Sequence, residues 1–146
     1  MGWSIYIRDG KVYIPTSAET LDGILIDVEP IEIAALDDAQ AISDAVVAVV
    51  SRERRIVPAP PRDAYKHHPL LALAGVKTWH GFYKGATQLG FMRAEAGFEV
   101  FELKPHEHGG YVANEATREK LPGDWSAAQC ANRIRARIQA ASHVGA

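Results

Sequence analysis

Ser4-Ile5-Tyr6-Ile7-Arg8-Asp9-Gly10-Lys11-Val12-Tyr13-Ile14 decides the architecture. Two runs of β-formers, 4–7 and 12–14, flank a four-residue centre. Asp-Gly between such runs marks a tight hairpin, because glycine accepts the positive φ that the turn demands. A chain that opens on a hairpin builds its sheet antiparallel.

Working outward, Pro15 and Thr16 are expected to loosen the chain. Ile24, Ile26 and Val28 then alternate with Leu25, Asp27 and Glu29, which places the two acids on one strand face. Pro30 cannot donate to a ladder, so this strand belongs at an edge or at a bulge. Ile31 and Ile33 bracket Glu32 with the alternation shifted by one. A helix is expected from about residue 38 to 54, with Asp37 and Gln40 as a capping box. Ile42, Ala45, Val46, Val49 and Val50 form its buried stripe. Arg52, Arg54 and Arg55 close it on the side that the helix dipole favours. Val57-Pro58-Ala59-Pro60-Pro61 then makes a stiff connection.

Beyond it, residues 69–74 predict a helical turn stopped by Gly75. Residues 77–84 predict a second turn stopped by Gly85, with Trp79, Phe82 and Tyr83 facing a core. Residues 88–95 and 98–104 read as a hairpin around Ala96-Gly97, and 110–114 adds a strand. Ser126 and Gln129 form a capping box with Trp125 and Cys130 as its staple. Ala127, Ala131, Ile134, Ile138 and Ala141 line one face of the last helix, leaving Arg133, Arg135 and Arg137 solvated. The tail 142–146 is expected to fray. Hairpins mixed with about three helices give an α+β fold, a single domain over 1–146 with an antiparallel sheet.

With 47% hydrophobic and 23% charged residues, the composition is that of an ordinary globular protein. The net charge of −2 averages two opposite halves. Residues 1–50 carry nine acids against two bases, and residues 51–146 carry nine against fourteen. The lone Cys130 excludes an intramolecular disulfide. No basic, apolar leader opens the chain, and no run approaches the roughly 20 apolar residues of a membrane span. A cytoplasmic location is expected.

The charge is concentrated in residues 19–44, which hold eight acids and no Lys, Arg or His. Like charges gathered on one surface repel each other and steer a basic partner toward it. Other constellations are thinner. His106-Glu107-His108 could share a strand face and, with His80, suggest a metal enzyme, but a third or fourth ligand at useful spacing is missing. His67-His68 reads as solvated loop. Arg52, Arg54, Arg55 and Arg62 suggest a nucleic-acid module, yet lack interleaved aromatic residues. Trp79, Phe82 and Tyr83 read as core rather than as a ligand platform. Gly81, Gly85 and Gly90 are turn punctuation and form no phosphate-binding loop.

Trp79-His80-Gly81-Phe82-Tyr83-Lys84-Gly85-Ala86, then a hairpin, Gly109-Gly110-Tyr111-Val112, and Leu121-Pro122 before a final helix resemble the immunity proteins of bacterial contact-dependent growth inhibition systems. The resemblance spans about residues 77–140. It implies a small cytoplasmic protein that binds the C-terminal toxin domain of an incoming effector, often a nuclease, with no enzyme activity, cofactor or metal. Nuclease clefts must attract phosphate and are basic. The acids Asp22, Asp27, Glu29, Glu32, Asp37, Asp38 and Asp44 are therefore the expected toxin contacts. Within that set, the strand acids lead and the helix acids double as caps. No contact with membrane or directly with nucleic acid is expected.

Overall fold

The computed structural model describes the backbone of residues 1–108 and 110–144, and side chains as far as Ala141 apart from residue 109. Gly109 of the glycine pair and residues 145–146 of the expected tail lie outside the described residues. The remainder is an α+β fold built on an eight-stranded sheet.

The first hairpin joins β1 (Gly2–Arg8) to β2 (Lys11–Thr20). Asp9 and Gly10 hold φ of 50° and 74° at its turn. Two successive positive φ values match the twist of the strands, so the turn chemistry fixes the register Arg8↔Lys11 and Tyr6↔Tyr13. β2 does not loosen at Pro15 and Thr16. It runs on to Thr20, with a register shift at Pro15/Thr16 against β3 (Leu25–Ala35). β3 ends the strand order β3-β2-β1-β5-β6-β7, the edge position that Pro30 requires. The peptide bond before Pro30 is cis.

α1 (Ala39–Ser51) starts one residue later than the capping box implied. Asp38, not Asp37, accepts from the Ala41 amide, and Gln40 bonds Asp44 instead. The helix stops at Ser51 with Arg52 as its C-cap, while Arg54 and Arg55 lie beyond it. Arg55 opens a short strand, β4 (Arg55–Val57), that pairs with β2 in parallel. Three short helices follow: α2 (Arg62–Lys66), α3 (Pro69–Ala74) and α4 (Trp79–Lys84). Gly75, at φ 72°, ends α3 in the left-handed conformation. β5 (Thr87–Ala94) and β6 (Gly97–Pro105) make the second hairpin. Then come β7 (Tyr111–Ala113), a 3-10 turn at Glu115–Thr117, β8 (Glu119–Lys120) and α5 (Ala127–Val144). Ser126 and Gln129 cap α5 reciprocally, as their spacing predicts.

The strand alternation covers both faces of the sheet. Trp3, Ile5 and Ile7 of β1, with Val12 and Ile14 of β2, join Ile42, Val46, Ile134 and Ile138 of α1 and α5 in the larger core. The opposite face carries Tyr6 and Tyr13, packed with Leu70, Leu71 and Phe82 of α3 and α4. Phe82 and Ile134 are fully buried. Among the α5 positions expected inside, Ala127 is exposed. Its arginines are also less free than expected. Arg133 and Arg137 both donate to Glu119 of β8, and Arg135 donates to Gln139. The two bonds to Glu119 tie the helix to β8.

Candidate functional site

β2 pairs with β1 only over Lys11–Tyr13, and farther along, Ala18–Thr20 pair with β4 instead. Pro15 has no N–H to offer β1 at the point of parting. The sheet is therefore split between the N-terminal half of β1 and the C-terminal half of β2. A cleft of about 850 Å³ forms beside that split, between β3 on one wall and the segment around α2 on the other. Ser4 and Tyr6 of β1 line it, together with Trp79 and Tyr83 of α4. A smaller cavity of about 180 Å³ shares Ser4, Leu25, Ile26 and Asp27 with the first.

Asp27 is the charged group set deepest. Tyr6 Oη donates to its Oδ2 at 2.7 Å. Burial is the main cause that pushes the Asp27 carboxyl above the usual carboxylate range, with the Tyr6 bond, His68 and Ser4 acting against it. Burial likewise raises the Tyr6 phenol, and the neighbouring Asp27 raises it further. Tyr83 is raised by burial first and then by its contact with Tyr65. His68 Nδ1 accepts from the Leu70 amide, which leaves Nε2 to donate to the Asp27 carbonyl at 2.8 Å. His68 is thus a fixed bracket between α3 and β3, not the solvated loop residue expected of His67-His68.

The rings are ordered as well. Trp79 stacks on Tyr65 at 4.8 Å and 21°, and on Tyr83 at 5.4 Å and 25°. Its Nε1 donates to the Tyr65 carbonyl at 2.8 Å. Tyr111 of β7 meets Tyr83 at 4.9 Å. Of the three aromatic residues expected in the core, Phe82 is fully buried there, and Trp79 and Tyr83 pack half-buried against it while also lining the cleft.

The acids expected to form one face are divided among several tasks. Glu32 pairs with Arg52, which also donates to Thr16 Oγ1 at 2.9 Å. Glu19 pairs with Arg54. Two of the eight acids in 19–44 are thus answered from just beyond α1, a pairing that a one-signed stretch conceals. Asp38 caps α1, and Asp44 accepts from Gln40. Asp27 faces the cleft. Asp22, Glu29 and Asp37 are exposed, with no ion pair among the described residues. Only Asp27 and Glu29 of the set line the cleft together.

The β2–β3 connection beside Asp22 carries apolar side chains outward. Leu21 is 76% exposed, Ile24 61% and Leu25 46%. Leu25 belongs to the lining of both cavities.

The remaining candidates do not assemble. His106 and His108 face each other at 5.4 Å in the exposed β6–β7 turn, and His108 pairs with Glu107. His80 sits exposed on α4, and no group of three metal-ligating side chains occurs among the described residues. With Arg52 and Arg54 engaged, the four arginines suggested for nucleic acid form no open patch. Arg62 lines the cleft. Among the described residues, no helix is long and apolar enough to cross a membrane.

Sequence signals for the missed cleft residues were faint. Tyr6 and Tyr13 alternate with aliphatic neighbours, which signals a second packed face with polar tips. Nothing local links Tyr65 or His68 to them.

No protein-family model matches the chain, and no curated protein matches it. Solved structures do share its fold. A Neisseria meningitidis protein of unknown function superposes with a TM-score of 0.65 at 13% identity, covering 94% of this chain and 92% of that one. A chain of a CdiA-CT/CdiI toxin and immunity complex from Yersinia pseudotuberculosis superposes with a TM-score of 0.63 at 12% identity, covering 94% and 95%. At such identities the likeness is one of fold, extending over nearly the whole chain.

Proposed function

We propose that this protein is a toxin-neutralising immunity protein that acts by binding its cognate toxin domain, without catalysis, metal or cofactor. The observation that carries this reading is one surface. Exposed Leu21 and Ile24 flank the unpaired acid Asp22 in the β2–β3 connection, and exposed Leu25 and unpaired Glu29 of the strand that follows line the aromatic cleft. Apolar side chains rimmed by charge are the make-up of a protein-docking surface. The fold shared with a chain of a toxin and immunity complex supports the choice of partner. A nuclease toxin, whose active site must be basic to hold phosphate, would be steered to these acids and blocked.

Co-purification with the product of the gene immediately upstream tests the reading. A stable complex is expected, and failure to bind sinks it. The double variant Asp22→Lys, Glu29→Lys is expected to weaken the complex about tenfold or more, a difference near 1.4 kcal/mol, with the fold unchanged by circular dichroism. Glu32→Lys is a poor probe because it sets a lysine against Arg52 and disturbs the fold itself.

A further inference from the structure

The cleft holds two features that attract the same kind of group. Tyr65 and Tyr83 each lie near-parallel to Trp79, and the bond from the indole to the Tyr65 carbonyl locks the orientation of the Trp79 ring. An aromatic face carries the negative end of the ring quadrupole and draws cations. Asp27 lies in the same cleft, holding a hydrogen bond from Tyr6 but no ion pair among the described residues. A carboxylate partly withdrawn from water is costly unless a cation answers it.

The cleft also has basic residues, Arg62 and Lys66, and these set the competing field. Both are exposed side chains on α2, so water and salt screen them. Asp27 is enclosed and is screened less. Glu29, on the same wall, is exposed and is screened as Arg62 and Lys66 are. The charge least screened in the cleft is therefore the negative one of Asp27, set among aromatic rings.

We propose that this cleft receives a guanidinium side chain from the protein partner, stacked on the Trp79 group and paired with Asp27. The source of that side chain rests on the binding reading above; the chemistry of the cleft does not. An arginine suits the geometry better than a lysine. Its planar head can stack on a ring while its edge N–H groups meet a carboxylate.

The test needs no toxin. N-acetyl-arginine amide is titrated into the full chain while the Trp79 indole N–H is followed by two-dimensional NMR. Its signal is one of three indoles and is assigned with Trp79→Phe. A saturable shift with a Kd on the order of 10 mM is expected, as suits a single side chain. N-acetyl-citrulline amide, the neutral isostere, should bind about tenfold more weakly, and so should the arginine compound to Asp27→Asn. Should Asp27→Asn misfold, Tyr65→Ala reads the aromatic half, since Tyr65 is 56% exposed and is not needed for the core. Equal shifts with the citrulline compound, or no shift at all, overturn the proposal. An upstream product that fails to bind removes the functional reading alone, because the titration does not use it.

Discussion

Tyr6 on β1 donates a hydrogen bond to Asp27 on β3, although β2 lies between those strands in the sheet. The reach is possible because β2 parts from β1 beyond Tyr13. The bond ties the two sides of the split, and Tyr6→Phe is expected to cost about 1.5–3 kcal/mol at neutral pH, as loss of a bond to a buried charged group does. Urea denaturation measures it. The fluorescence of the Trp79 group should change as the cleft relaxes.

Asp27 should also impose a pH slope of its own. Burial raises its folded pKa, so the folded chain holds the proton more tightly than the unfolded chain. Below the unfolded value, near 3.9, there is no penalty. As pH rises from there to the raised folded value, stability falls, and above both it stays lower. Asp27→Asn is expected to flatten this slope and to raise the urea midpoint at neutral pH relative to its effect in acid. A variant that kept the wild-type slope would show that another group sets it. The surrounding groups to weigh are Tyr6, Tyr83, His68, Glu29, Arg62 and Lys66.

Glu119 has the opposite sign. The bond from Arg133 holds its carboxyl below the usual range, with Arg137 adding to the effect. Its contribution is therefore complete above the unfolded value near 4.3 and is lost as pH falls through the lowered folded value. Glu119→Gln should cost about 1 kcal/mol at neutral pH, because partly exposed pairs are screened, and little once the pH has fallen below the lowered folded value. Thermal melts across pH separate this from the Asp27 effect.

Two glycines differ in what a methyl group would strike. At Gly123 an added Cβ would lie 2.5 Å from the Ala96 carbonyl oxygen, which is backbone of the β5–β6 turn. At Gly90 it would lie 2.6 Å from the edge of the Phe101 ring. A ring can tilt, whereas a turn must move bodily. Gly123→Ala should therefore destabilise more than Gly90→Ala, both within about 1–3 kcal/mol, as judged from denaturation midpoints.

Local rules made much of the fold legible. Asp9-Gly10, the left-handed Gly75, the Ser126/Gln129 box and the stripe of α1 each depend on residues within a few positions, and each stands where its spacing put it. Apart from the one-residue shift of the α1 cap, the failures share one cause. Residues 16–20 offer no apolar alternation, so nothing marked them as strand, yet Thr16 and Thr20 are satisfied there by the Pro30 carbonyl and the Ile24 amide. Arg55–Val57 is too short to read as a strand and is held by parallel pairing to distant residues. The cleft joins Tyr6 to Asp27 and Tyr65 to Trp79, separations that no period spans. The acidic stretch was legible as charge but not as a surface, because its counterions, Arg52 and Arg54, follow a helix that hides their proximity.

The edge position of β3 has a consequence for the protein at high concentration. An eleven-residue strand with one free side is a template on which a second copy could grow, and such growth leads to fibres. Pro30 removes a donor from the middle of that strand, and exposed Glu29 beside it charges the same stretch. Copies meeting edge to edge would face a missing bond and like charges together. The chain thus carries its own safeguard against self-association in the strand that also walls the cleft, and replacing Pro30 for the sake of a straighter ladder would trade solubility for regularity.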